Sequence, residues 1–260
     1  MRVGPPLNPQ LEEFNSRLSL MGCTLNSNRR EVTKEMRSCS IPGCTKSAST
    51  KFGSMCPRHR SRNARHGNPL QDSIRFTDIK PYVERVEKLI ERDKSGKILG
   101  GLDKVVAVIT DYVEGITSDY AHGRAMYKHK VQAAKEILTV FRDFNPSQCA
   151  SVITGLYLFQ DDQPHRFASD RGFTFELVRR FRSLSDANVG LYENSESGRV
   201  RRAYKEIPPK TIEQLGLMLI EGFKTFVAHV RLCERKKLNL EREAKELLEE
   251  GFASLEESHD

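Results

Sequence analysis

The sequence predicts a mainly α protein in which a small metal-organised unit precedes a multi-helix domain with one β-hairpin. Three observations carry that expectation. Four side chains of metal-ligand type fall within residues 39–59. From residue 77 onward, apolar residues recur at helical spacing. Only residues 188–207 break that pattern, with two β-prone arms around a polar turn. The chain accordingly divides into a partly ordered arm (1–36), the metal unit (37–70), a helical domain (71–235) and a C-terminal amphipathic helix (236–260).

Composition removes several classes. The 260 residues are 38% hydrophobic and 30% charged, with 13 Phe and 7 Tyr, which is enough apolar material to build a core. The longest apolar runs, such as Val105–Ile109 and Leu215–Ile220, fall far below the ~20 residues that cross a bilayer. The opening MRVGPPLNPQLEEF contains no apolar signal segment. A cytoplasmic location with no membrane partner is therefore expected. In that compartment six cysteines point to metal binding rather than a disulfide framework.

The net charge of +7 is unevenly spread. Residues 1–70 hold 12 Lys/Arg and 4 Asp/Glu, and the remainder is close to neutral. Between Arg37 and Gln71 there is no acid, against seven bases: Arg37, Lys46, Lys51, Arg58, Arg60, Arg62 and Arg65. A block of one sign repels itself and is best accommodated beside a polyanion.

Inside this block stand Cys39, Cys44, Cys56 and His59, spaced C-x4-C-x11-C-x2-H. Zinc takes four soft or borderline ligands in a tetrahedron, and two close pairs joined by a longer loop let the chain wrap the ion. Ile41-Pro42-Gly43 inside the first pair is a tight-turn sequence. The two-residue gap of CPRH is that of a helix start supplying the last two ligands. Lys51–Met55 is expected as a short strand, with Phe52 packing over the metal. Three cysteines and one histidine fill all four positions, so a single Zn²⁺ here is structural rather than catalytic. In finger peptides zinc binding contributes roughly 10–16 kcal/mol, which is most of the folding free energy of so small a unit. Cys23, Cys149 and Cys233 stand alone and read as small apolar residues.

The stretch CSIPGCTKSASTKFGSMCPRHRSRNARHGNP resembles a small finger common in bacteriophage and mobile-element proteins. That pattern runs C-x-x-x-G-C, a loop ending in G-x-C, C-x-x-H, then a basic segment closing R-H-G-[DN]-P. Gly43, Gly53, Arg65, His66, Gly67, Asn68 and Pro69 fall at or near its positions. Asn68 stands where the pattern often has Asp, and two residues rather than one separate Gly53 from Cys56. The resemblance covers about 31 residues and implies a treble-clef-like zinc finger. Some relatives carry an HNH nuclease elsewhere, and others are DNA-binding accessory proteins. After His59, Arg60, Arg62 and Arg65 should lie on a short helix stopped by Gly67 and Pro69, a placement suited to phosphate or base edges. His66 reads as a capping or packing residue rather than a fifth ligand or a catalytic group.

Downstream, Ile79, Tyr82, Val83, Val86, Leu89 and Ile90 form one helical face behind Thr77 as cap, with Pro81 in the first turn and Ser95-Gly96 as stop. Further helices are expected over about 98–116, 124–144, from Asn145-Pro146 onward, and over 170–184. Thr211-Ile212-Glu213-Gln214 is a capping-box signature before a long apolar helix. Leu240, Ala244, Leu247, Leu248, Phe252 and Leu255 make the last helix amphipathic, suited to packing on the body, docking a partner protein or pairing with itself. The hairpin follows a helix bearing Arg171, Arg179, Arg180 and Arg182, and its second arm carries Arg199, Arg201, Arg202 and Lys205. A basic helix followed by a basic hairpin is what a winged helix–turn–helix shows. The plainer reading, a helical bundle with one hairpin and an Arg-rich surface, is preferred.

Catalytic arrangements are weak. His122, His129, His165, His229 and His259 fall into no H-x-N or paired-histidine pattern, and Asp161-Asp162 with His165 is expected to cap the turn at 166–170. The leading expectation is a zinc-dependent binder of nucleic acid, double-stranded DNA in particular, contacting phosphate through Lys46, Lys51, Arg58, Arg60, Arg62 and Arg65. A protein-interaction module with a structural finger is the alternative, and an HNH-like nuclease ranks third.

Overall fold

A computed structural model describes residues 37–185, 189–193, 198 and 200–257. The arm 1–36, with Cys23, lies outside them, as do Arg199 and His259. The described residues form seven α-helices and one hairpin: α1 Pro57–His66, α2 Phe76–Arg92, α3 Lys97–Ala121, α4 Lys128–Asp143, α5 Pro146–Asp162, a 3₁₀ turn Pro164–Arg166, α6 Asp170–Arg182, β1 Val189–Glu193, β2 Val200–Tyr204 and α7 Pro209–Glu257. The chain is mainly helical, as its periodicity predicts.

The centre of the bundle is α5. Cys149–Leu156, Leu158 and Phe159 are buried around the helix rather than along one stripe, the pattern of a helix enclosed on all sides. Asn145 starts it by accepting a hydrogen bond from Ser147 N at 3.0 Å. Helix α2 lies against it with Ile79, Tyr82, Val83, Val86 and Ile90. The two backbones meet at Gly155, where an added Cβ would stand 2.8 Å from Val83 Cγ2 and 2.9 Å from Val83 N. Helices α3, α4, α6 and α7 complete the shell, and Phe159, Phe181, Phe223, Leu215 and Leu219 fill the interior.

Several ends differ from expectation. Helix α2 starts two residues earlier than the sequence suggests: Arg75 is its N-cap and Asp78 Oδ2 accepts from Arg75 N at 3.0 Å. Pro81 therefore lies inside the helix, where the carbonyl it leaves without a donor belongs to exposed Thr77. Helix α4 begins at Lys128 rather than near 124, because Gly123 turns left-handed (φ 80°) and ends α3. The capping box at 211–214 does not form. Helix α7 starts two residues earlier, and the Thr211 hydroxyl is buried, donating to Gln132 Oε1 at 3.1 Å and lying 3.0 Å from His129 Nδ1. That hydroxyl ties α7 to α4 instead of capping. Helix α7 also runs unbroken to Glu257, so the expected division at 235/236 falls inside one helix.

The hairpin appears where its turn residues place it. β1 and β2 pair antiparallel, from Val189 opposite Tyr204 to Glu193 opposite Val200. The helix before it is not a free reading head. Arg171 Nε bonds Glu213 at 2.9 Å, Arg182 Nε bonds Glu136 at 2.9 Å, and Arg180 Nε bonds Glu176 at 2.7 Å. Arg179 bonds Glu176 at 3.1 Å. The basic side chains of α6 thus hold the bundle together, and the plainer reading of this region fits the contacts.

Candidate metal centre

The four predicted ligands converge. Cys39 Sγ, Cys44 Sγ, Cys56 Sγ and one His59 ring nitrogen lie within 4.8 Å of one another. His59 Nδ1 is 3.4 Å from Cys39 Sγ and 3.4 Å from Cys56 Sγ, and the Cys44 and Cys56 sulfurs are 3.9 Å apart. A tetrahedral zinc site with ordinary bond lengths sets S···S at about 3.8 Å and S···N at about 3.6 Å. Three of the six donor–donor edges thus lie within about 0.2 Å of what such an ion requires, and all six are within 4.8 Å. Among the described residues no other group of three or more His, Cys, Asp and Glu gathers in this way.

Local sequence builds the site. Gly43 turns left-handed (φ 75°), which lets Cys44 N reach Ile41 O at 3.1 Å, and Cys39 N bonds Lys46 O at 2.9 Å. This tight loop presents Cys39 and Cys44. Cys56 is the N-cap of α1 with Pro57 as its first residue, and His59 follows in the first turn. Cys56 N donates to Cys39 Sγ at 3.3 Å. Burial pushes the Cys39 thiol up, but the Cys56 and Ile41 backbone and the His59 and Cys44 side chains outweigh it and bring it down to about 6. A thiol held that low is ready to ligate as thiolate. The Cys44 thiol is raised. The Lys46 backbone acts to lower it, but burial and the two neighbouring cysteines prevail, as expected when several sulfurs crowd together.

One expectation fails here. Lys51–Met55 is a turn, not a strand, and Phe52 is 88% exposed with Lys51 Nζ 5.5 Å from its ring centre. The small interior is closed by Ala48 instead, at 1% exposure. The loop is pinned by bonds from Ser49 N to Met55 O and from Ser40 N to Ser54 O, both 2.8 Å, and these leave Phe52 pointing outward.

Helix α1 leaves the ligands carrying the basic residues and ends at Gly67 (φ 75°), as predicted. Lys46, Lys51, Arg58, Arg60 and Arg65 are exposed. Arg60 Nη1 reaches Ser49 Oγ at 3.4 Å. Arg62 stands apart: it is half-buried and paired with Asp72 at 3.2 Å. Arg201 and Arg202 lie on β2, away in sequence from the ligand cluster.

Sequence reasoning missed how firmly this unit is fastened to the body. Arg171 Nη1 donates to Gly67 O at 2.9 Å and Arg179 Nη2 to Arg65 O at 2.5 Å. Gln71, only 2% exposed, donates to Arg166 O and accepts from Ala168 N, each at 2.9 Å. His66 Nδ1 is 3.1 Å from Arg179 Nη1. Burial, then the charges of Arg179, Arg62 and Arg65, lowers the His66 pKa to about 4. Beside this seam lies a cleft of about 540 Å³ between α1, α6 and the segment joining β2 to α7, lined by Arg65, Lys205, Phe175 and Ile207 among others. The only sequence signal for the seam was Glu176, an acid alone in the run FTFELVRRFR.

The remaining polar groups serve structure. Asp161 takes Arg231 in a two-pronged bond at 2.6 Å, and Asp162 accepts from Tyr82 OH. Neither caps the turn before α6, which Ser169 does by accepting from Gly172 N at 3.1 Å. Cys149 is fully buried, and burial drives its thiol up to about 12, as suits an inert core cysteine. No helix among the described residues is long and apolar enough to cross a membrane. Comparison with protein families, curated proteins and solved structures finds no match to this chain.

Proposed function

We propose that Cys39, Cys44, Cys56 and His59 hold one structural Zn²⁺ in a treble-clef-like finger of the phage and mobile-element type, and that this finger binds nucleic acid, double-stranded DNA in particular. The observation that carries the reading is the root of α1. The helix whose start supplies Cys56 and His59 also carries exposed Arg58, Arg60 and Arg65. The metal would fix the start of the helix, and its guanidinium groups would then be set at defined heights for phosphate.

Two further observations support it. Within the acid-free block the body takes Arg62 into a pair with Asp72, while Arg58, Arg60 and Arg65 stay exposed on the same helix. Arg65 and Lys205 line one cleft, so the basic surface of α1 continues toward the strand carrying Arg201 and Arg202. In this arrangement strand β2 would meet phosphate without α6 entering a groove.

The test joins metal content to a salt titration. One zinc per chain is expected by atomic emission, together with a shift of generic duplex DNA at low salt. Log affinity should fall with log salt at a slope near −4 to −5 if about five bases contact phosphate. No metal after purification under reducing conditions, or no shift at low salt, would overturn the reading.

A further inference from the structure

We propose that residues 235–257 of α7 pair with the same segment of a second copy of this chain, in antiparallel orientation. Among the described side chains of α7, Val230 is the last apolar one buried in the body, and Glu234 the last buried one of any kind. Every residue from 235 to 249 is exposed, including Leu238, Leu240, Leu247 and Leu248 at 55–68%. The helix nevertheless continues to Glu257, an arm about 34 Å long. Most helical stability in proteins comes from burying an amphipathic face rather than from propensity. Such a face exists: Leu240, Ala244, Leu247 and Leu248 follow helical spacing, and a shallow apolar groove runs from Cys233 along the stems of Lys236 and Lys237 to Leu240 and Ala244.

Charge selects the occupant and its direction. Arg235, Lys236 and Lys237 stand at the base of the arm, whereas positions 246–257 carry five Glu and no Lys or Arg. Acids at a helix C-terminus oppose the helix dipole, so the tip is poorly arranged as a free end. An antiparallel second copy lays its basic base along that acidic tip, and its own tip along the first base. Setting Leu240 against Leu247 of the second copy also places position 237 opposite position 250, so one register joins the apolar positions and brings each basic base to the other acidic tip. A parallel pair would set base on base and tip on tip. The pairs within one helix, Lys237–Glu241 at 3.7 Å and Lys245–Glu249 at 3.5 Å, are exposed and exchangeable for contacts across the pair.

The experiment uses the full chain, with metal retained, in sedimentation equilibrium. The wild type is expected as a dimer. Reversing the base (Lys236→Glu with Lys237→Glu) or the tip (Glu249→Lys with Glu250→Lys) should weaken dimerisation at least about tenfold. A chain carrying all four changes should regain the dimer, and the two half-reversed chains should associate with each other when mixed. Lys236, Lys237 and Glu249 are exposed, so the helical circular dichroism of the body should persist and show that the variants fold. A monomeric wild type at the highest soluble concentration, or a dimer indifferent to both reversals, overturns the proposal. Neither result bears on DNA binding by the finger, which is read separately by gel shift.

Discussion

Glu176 is buried at 3% exposure and faces two guanidinium groups, Arg179 at 3.1 Å and Arg180 at 2.7 Å. Removing one partner of a buried ion pair leaves the other charge without compensation and costs about 3–5 kcal/mol. Glu176→Ala should therefore lower the chemical-denaturation midpoint strongly, and it should also loosen α1, because Arg179 is the bridge to Arg65 O. His66, on the same bridge, sets an acid limit. Its pKa is about 4 when folded against 6.5 ordinarily, so the unfolded chain takes up the proton first as the pH falls. Stability is fully present above about 6.5 and is lost as pH falls toward about 4. Melting temperature compared at pH 7 and pH 5 should drop less in His66→Gln than in wild type. Thr154 gives the opposite case: its hydroxyl is buried without a hydrogen-bond partner. Thr154→Val should be neutral or stabilising by up to about 1 kcal/mol in a urea titration. The four residues of the candidate metal centre were legible at this scale because ligand chemistry acts through residue type and spacing alone. Phe52 was not: an aromatic residue beside a metal loop reads as a lid, but its direction is decided by backbone hydrogen bonds at Ser40 and Ser49 that no single residue announces.

Between elements, the decisive contact is where α1 meets α6. Gly67 ends α1 with φ 75°, and a Cβ there would stand 2.7 Å from Arg171 O and 2.8 Å from Phe175 Cδ2. Gly67→Ala would meet both a disfavoured backbone conformation and an occupied space, so a loss of at least about 2 kcal/mol is expected. The same contact limits what metal loss can do. Cys56→Ser, or a strong chelator, should abolish zinc binding and release the loop and helix start over about residues 37–60, while the seam from Arg65 to Gln71 stays bonded to α6. Hydrogen exchange should show protection lost in the first segment and kept in the second. Loss throughout α2–α6 would mean that the metal supports the whole bundle. Helix existence was legible from the 3.6-residue period, because burial on one face dictates it. Helix ends were less so. Thr211 carries a capping signature, yet its hydroxyl meets Gln132 and His129 on α4, and a long-range partner overrode the local one.

At the scale of the molecule, arginine divides into two populations that composition alone cannot separate. Arg171, Arg179, Arg180 and Arg182 are bonded to carboxylates or backbone carbonyls of the body, and they act as struts. Arg58, Arg60 and Arg65 are exposed on a helix with no acid in its first turn. Sequence offered the α6 arginines only as a winged-helix alternative to an Arg-rich surface, since a run such as VRRFR has the same charge whether it faces water or Glu176. What separates them is the acid each one meets after folding. The consequence is measurable in a single pair of variants. Replacing Arg58, Arg60 and Arg65 together by Ala should shift the melting temperature by no more than about 5 °C, since exposed substitutions stay within about 0.5 kcal/mol each. It should also flatten the salt dependence of DNA binding by about 0.9 for each phosphate no longer neutralised. Replacing Arg182 by Ala should do the reverse: it leaves Glu136 buried at 7% exposure without its 2.9 Å partner, and stability falls while the slope of log affinity on log salt holds. If instead the triple variant melts early with an unchanged salt slope, the basic face of α1 is part of the scaffold, and its charge serves the fold rather than a polyanion.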